Sequence, residues 1–419
     1  MAPFLADRDT TPEACAPLGH PEMTQLPFLT TSMADTAADL ALAVELKFLL
    51  PILADTFPDP DPNDSRPLLT IPYSMAPDDQ ACRALAYNAI ANTIQKAGHC
   101  ATTIHAINSS GLAERNFWRT HWIVKKANSA EPGPEEKRPF ARYTWVSVEI
   151  SSPKMAASDP ETRRHLQTVL EALAGEHRLV ANYTCEVHVH LGRMDDRSFS
   201  LSTLKRLGSL LWVAEPTLRS IRNPKSPNYD NVYTWGSELR RFSRLAAGTG
   251  ERDPYGGNVD DAQMSGVLSK AKVDGRDKDA LIGIWRARNH LELGRLLSGS
   301  TKQYRRLGFN FSSFGMEDER ATRSPRTVEF RMMEGTVRSD LILNWVAICT
   351  VVAEVAVTRD DVRFKRALER LLVRLGGPPT QAEESLGRRR GREFRELMQD
   401  LEVPRAVYAG FEDKVIREH

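Results

Sequence analysis

The sequence predicts an α+β fold, a curved and largely antiparallel sheet with helices on its outer face. Three observations carry that expectation. Apolar–polar alternation recurs in clusters at 40–50, 118–124, 143–150, 178–191, 307–314 and 327–333. Helical spacing separates the clusters at 78–96, 160–175, 200–221, 277–297 and 341–357. The two do not follow each other in the regular βαβ order that a parallel sheet requires. With helices on one face, the other face is left to hold a site.

The elements read as follows. In the first strand, Glu45 and Lys47 alternate with Val44, Leu46 and Phe48. The stretch 55–65 holds three prolines and four aspartates and reads as a solvated loop. Asp78 and Asp79 favour the positive start of a helix whose face carries Leu85, Ile90 and Ile94. Pro160 opens the next helix and Gly175 ends it. Ser200 is placed to cap a long helix running to Ile221. The polar, Gly-rich stretch 241–280 reads as a surface insertion, and 341–357 is apolar enough for a buried helix. Domain boundaries follow: a flexible leader at 1–38, one catalytic-type domain over 39–375, and a charged helical tail at 376–419.

Composition bounds the partners. The chain has 419 residues, 41% hydrophobic and 26% charged, so a substantial core is expected. Its 56 basic and 55 acidic residues leave a formal charge of +1, which gives no global field for nucleic acid. The run Arg388-Arg389-Arg390 reads as a solvated helix face. Five scattered cysteines without a CxxC pair point to no disulfide framework and no zinc ribbon. No secretory signal and no stretch of transmembrane length is evident, so the expectation is a cytoplasmic protein with no membrane partner.

Four strands carry charge where a structural strand needs none. Glu45 lies between Val44 and Leu46, and Glu149 between Val148 and Ile150. Glu186, His188 and His190 alternate with Val187, Val189 and Leu191, while Glu329 and Arg331 flank Phe330. Strand side chains two apart share a face. Two carboxylates about 4 Å apart repel by roughly 4 kcal/mol at an effective dielectric near 20, so repeated Glu on one face calls for a cation. Glu186, His188 and His190 together also form a set that could bind Fe, Mn or Zn. Cys185, beside the His pair, reads as a small core residue rather than a nucleophile.

In order, Ala43-Val44-Glu45-Leu46, Val148-Glu149-Ile150-Ser151-Ser152-Pro153, Thr184 to Gly192 with its Glu186-Val187-His188-Val189-His190 core, and Thr327-Val328-Glu329-Phe330-Arg331-Met332-Met333-Glu334-Gly335-Thr336 resemble the motifs of the amidoligase family. Leu210-Leu211-Trp212-Val213-Ala214-Glu215-Pro216, Gly308-Phe309-Asn310-Phe311 and Asn344-Trp345 are similar to it as well, so the likeness runs from about 40 to 357. That family is related to glutamine synthetase and glutamate–cysteine ligase. The resemblance implies a funnel-shaped sheet that binds ATP and Mg2+. ATP phosphorylates a substrate carboxylate, and an amine displaces phosphate from the acyl phosphate to leave an amide. Small-molecule or peptide carboxylates and amines are the implied partners. Glu45, Glu149 and Glu329 are then the expected metal ligands, with Glu186 and His188 as further candidates. Lys47, Arg331 and His190 would meet phosphate, and Glu329 and Arg331 would serve catalysis.

Two departures stand out. The family's first strand usually carries a glycine and then two acids one residue apart, where this chain has Ala43 and Lys47. Glu186 stands where the family typically has glycine and would restore the missing carboxylate from another strand. Two other readings follow from the same residues: a metal enzyme without ATP built on Glu186, His188 and His190, and a catalytically silent relative kept for binding.

Overall fold

The computed structural model describes residues 35–75, 78–137, 142–229, 237–248, 264, 266–267, 275–299, 307–315, 326–358, 361–375 and 384–419. It is a mixed α/β structure around one open, mostly antiparallel sheet of nine strands. These are β1 (Leu40–Ala54), β2 (Leu69–Ile71), β3 (Ala101–Thr103), β4 (Trp122–Lys125), β5 (Thr144–Ser151), β6 (Met155–Ala156), β7 (Glu186–Arg193), β8 (Phe309–Asn310) and β9 (Val328–Glu334). The order across the sheet is β3-β4-β5-β1-β7-β9-β8, with β2 and β6 also on β1. The β1–β2 and β3–β4 pairs are parallel, and the others are antiparallel.

Among the described residues eight long helices accompany the sheet: α1 (Asp79–Lys96), α2 (Pro160–Glu176), α3 (Leu201–Leu218), α4 (Gly275–Arg286), α5 (Ser339–Val357), α6 (Asp361–Leu375), α7 (Leu386–Asp400) and α8 (Arg405–Glu418). Their starts are chemically marked. Asp78 accepts from the N–H groups of Gln80 and Ala81, Asp159 from Glu161 just after Pro160 enters α2, and Ser200 from Thr203.

The sheet's two faces differ in chemistry because strand side chains alternate. Leu42, Val44, Leu46, Phe48 and Leu50 of β1 point one way, with Val148 and Ile150 of β5 and Val187, Val189 and Leu191 of β7. They join the main core with Ile90 and Ile94 of α1, Leu207 and Leu211 of α3, and Trp345 and Ile348 of α5. Burying one such side chain contributes about 1.5–3 kcal/mol, which pins the register. The opposite face collects the charged positions.

Several expectations need revision. The strand expected at 118–124 begins only at Trp122, because Phe117 to Thr120 form a turn. The helix expected at 277–297 is two, α4 and His290–Leu296, broken at 287–289. Of the surface insertion expected at 241–280, residues 249–263, 265 and 268–274 lie outside the described residues, and 275–280 begin α4 with Asp277 buried. The leader expected at 1–38 lies outside them up to 34, whereas Asp35 is buried and holds Arg193 and the N–H of Ser200. The C-terminal segment packs Phe394, Leu397, Tyr408 and Phe411 into the main core, with Phe411 against Trp345. Ser339–Val357 is in fact long and apolar enough to cross a membrane, but it is mostly buried and packs against α3 and the sheet. Cys82, Cys185 and Cys349 are free.

Candidate functional site

The strand register assembles the charged face. Glu45 stands opposite His188 on one side and Ser151 on the other, Ala43 opposite His190, and Lys47 opposite Glu149. Glu149 in turn faces Lys125 of β4, and His190 faces Glu329, which faces Asn310 of β8. Five adjacent strands therefore bring Lys125, Glu149, Glu45, Lys47, Glu186, His188, His190, Glu329 and Arg331 onto one surface. A register shift between β7 and β9 lies between Val187 and Val189. The extra residue on β9 changes its parity, so Glu334 lies opposite Glu186 although Glu329 lies opposite His190. Just beyond, Gly335 passes so close to Cys185 that a β-carbon there would stand 2.3 Å from the Cys185 β-carbon. Only glycine allows β9 to end at that spot.

At the centre is His188, with a side chain 1% exposed. Its Nε2 lies 3.1 Å from Glu186 Oε2, and its Nδ1 lies 3.0 Å from Glu329 Oε1 and 3.3 Å from Glu45 Oε2. Burial and the charges of Arg331 and Lys47 push its proton off, but the bonds to Glu186 and Glu329 prevail and raise its pKa to about 9. His188 is therefore a buried imidazolium at neutral pH. Glu186 also takes Lys47 Nζ at 3.4 Å and lies 3.9 Å from an Arg331 nitrogen. Burial works to raise Glu186, yet His188, Arg331 and Lys47 hold it below the usual carboxylate range. Glu329 is held low in the same way, against burial, by Arg331, His190 and His188. Arg331 contacts Glu329 Oε1 directly, and Asn310 donates to Glu329 Oε2 at 2.8 Å.

A second grouping lies beside the first. His190 Nε2 is 3.5 Å from Glu45 Oε1 and 3.7 Å from Glu329 Oε1, and it is buried without a hydrogen-bond partner. Its other nitrogen, Nδ1, bonds the Thr327 hydroxyl at 3.1 Å. Among the described residues, Glu45, His190 and Glu329 form the one group of three potential ligand atoms within 4.8 Å of one another. An imidazole oriented by a hydroxyl on one nitrogen, with two carboxylates around the other, suits a divalent cation. Burial would raise Glu45, but His190 and His188 hold it well below its ordinary value. Burial lowers His190, but Glu45 and Glu329 overcome that and raise it. A cation here competes with the His190 proton for the same two carboxylates.

Glu149 behaves differently. Burial and the negative charge of Glu45 raise its pKa, against the pull of Lys125 and Lys47. Lys125 Nζ lies 3.5 Å from Glu149 and 3.0 Å from Glu114.

All the residues singled out from the sequence share this face, but their grouping differs from the expectation. Glu45 and Glu329 converge, with His190 rather than Glu149 as the third member. Glu186 is bonded to both His188 and Lys47, and the trio Glu186, His188 and His190 is not the close group. No family model matches the chain, and no curated protein matches it. Lys125, Asn310, Thr327 and Glu334 complete the face, beyond the site residues that the sequence singles out. For Asn310 the signal was present, a polar residue between Phe309 and Phe311. Lys125 ends an apolar strand, where a lysine is unremarkable.

Proposed function

We propose that the protein is an ATP- and Mg2+-dependent carboxylate–amine ligase that forms an amide through an acyl phosphate, on a sheet arranged as in glutamine synthetase and glutamate–cysteine ligase. One observation carries the reading: a strand face, opposite the helix-covered one, on which two carboxylates and an imidazole nitrogen converge beside Lys47 and Arg331. Glu45, Glu329 and His190 would hold the divalent ion. Once bound, the ion neutralises charge on phosphoryl oxygens. An imidazole in the set also suits Mn2+.

This chain's own groups do the rest. Arg331, braced by Glu329 and Glu186, and Lys47, braced by Glu186, supply fixed positive charge for phosphoryl and carboxylate oxygens. Being paired already, they need little rearrangement to act, which is where preorganised electrostatics gains its effect. His188, charged and buried, keeps Glu45, Glu186 and Glu329 in register. Glu149, with its raised pKa, stands across the strand pair from Lys47 as a proton acceptor for an incoming ammonium.

The test is ADP release from ATP and Mg2+ across a panel of carboxylic acids and amines, in the parent and in Glu329→Gln. Release that requires both an acid and an amine and disappears in the variant supports the ligase. Release that is unchanged in Glu329→Gln contradicts it.

One observation favours a second reading, a silent relative kept for binding. Each of Glu45, Glu149, Glu186 and Glu329 already has a cationic neighbour, so the face is balanced without metal. That reading predicts no Mg2+ response in the parent and a response gained in Lys47→Glu.

A further inference from the structure

Away from the charged sheet face, a cavity of about 270 Å³ opens at the C-terminal end of α3. Its wall includes Glu215, Arg219, Glu238, Arg240, Arg241 and Arg276. Four arginines thus face two glutamates, and the site proposed above uses none of them.

The pairing within the wall is uneven. Arg219 is engaged by Glu238 and by the carbonyl of Tyr229. Arg240 gives one nitrogen, Nη2, to both oxygens of the buried Asp277, each at 2.6 Å, and Asp277 also accepts from Trp212 Nε1 at 2.9 Å. The other terminal nitrogen of Arg240, Nη1, is buried and has no hydrogen-bond partner. Arg276 donates to the carbonyl of Arg240, and no carboxylate pairs with Arg276 or Arg241 among the described residues. Glu215 is occupied by backbone, accepting from Leu239 N–H at 2.6 Å and Arg240 N–H at 2.7 Å. Even with Asp277 counted, positive charge is in surplus among the described residues. Burial also raises Glu215 to about 8 despite those two donors, which enlarges the surplus at neutral pH.

Arg240 Nη1 is one of several buried guanidinium nitrogens without an acceptor, and here it stands in a cavity wall where an anion could supply one. Three of the four guanidiniums also rest on aromatic rings: Arg219 on Tyr229 at 4.3 Å, Arg241 on Phe242 at 5.1 Å and Arg240 on Trp212 at 5.8 Å. Such stacking restricts their rotamers, so an anion entering would order little that is not already ordered. Guanidinium groups match the spacing of carboxylate and phosphate oxygens.

We infer that this cavity is a binding site for a small oxyanion, the phosphate or carboxylate group of a small molecule, held by Arg240, Arg241 and Arg276. It lies on the other side of the turn Arg219–Ile221 from Arg222, which feels the charges of Glu334 and Glu186 on the sheet face.

The test uses the full chain with inorganic phosphate and malonate as separate probes, against chloride at matched ionic strength, reading the thermal midpoint. A saturable rise with either oxyanion and none with chloride is expected, and the stronger probe identifies the preferred headgroup. The rise should fall at least tenfold in apparent affinity in Arg241→Ala/Arg276→Ala. Both residues are exposed, so the variant should keep the parent midpoint without anion. His190→Ala separates the two sites, because it should leave this response intact. An oxyanion response that survives the double variant but vanishes in His190→Ala places the anion on the sheet and overturns the inference. So does a response equal to that of chloride.

Discussion

The pair Lys47–Glu186 offers the sharpest quantitative test of how the charged face is built. The two side chains are buried on neighbouring strands, with Nζ and Oε2 3.4 Å apart. Coulomb attraction at that distance is about 5 kcal/mol at an effective dielectric near 20. Desolvation offsets much of it, so the pair's net worth against apolar residues is small. Breaking it from one side is another matter. Glu186→Gln leaves Lys47, His188 and Arg331 without their shared anion, and a loss of about 3–5 kcal/mol is expected. Lys47→Met leaves Glu186 its His188 and Arg331 partners and should cost roughly 1–2 kcal/mol. The double variant should cost clearly less than the sum, with a coupling of about 2 kcal/mol. Urea denaturation at neutral pH on all four proteins measures it. A coupling below about 0.5 kcal/mol would show that the two charges do not depend on each other and would refute the reasoning.

Other outcomes follow from the same geometry. Arg331→Lys should lose most ATP-dependent activity, measured as ADP release, while the fold keeps its thermal midpoint within a few degrees, since lysine keeps the charge but not the fork. Phe411→Ala should cost about 3–5 kcal/mol in urea, because Phe411 is 1% exposed and packs between Trp345 and Phe394. A near-neutral result would mean that the C-terminal helices are not part of the core. His165 accepts from Trp122 Nε1 and stacks on His99, and burial, with His99 second, lowers its pKa to about 4. The unfolded chain therefore takes up a proton near pH 6.5 that the native protein refuses, so stability should be full above that and fall from pH 6.5 towards 4. His165→Gln should flatten that limb of the pH–stability curve, and an unchanged slope would count against it.

Much of the frame was legible in the sequence because alternation and helical spacing are local signals. Val44-Glu45-Leu46-Lys47-Phe48 announces a two-faced strand, and Asp78, Pro160 and Ser200 mark helix starts within a residue of where they occur. The acids were legible for the same reason, since charge at an alternate position of an apolar strand is conspicuous. What the sequence hides is which acids meet. Strand order decides that Glu45 neighbours His188 and that Glu149 neighbours Lys125, and order is a property of contacts between residues distant in the chain. The parity change in β9 is also silent, because Met332-Met333 reads as ordinary strand. The C-terminal helices look like a charged tail in the sequence because Phe394, Leu397 and Met398, one narrow stripe, are set among arginines and glutamates.

The central claim is that the charged face takes a nucleotide together with a divalent ion. The most direct measurement is the thermal midpoint with Mg·ATP, with ATP plus a chelator, and with Mg2+ alone. The ligase account predicts a rise that needs both components, since a ligand at 100 times its dissociation constant stabilises the native state by about 2.7 kcal/mol. The rise should vanish in His190→Ala. An unchanged midpoint in all three conditions, or the same rise with Mg2+ alone, would contradict the account.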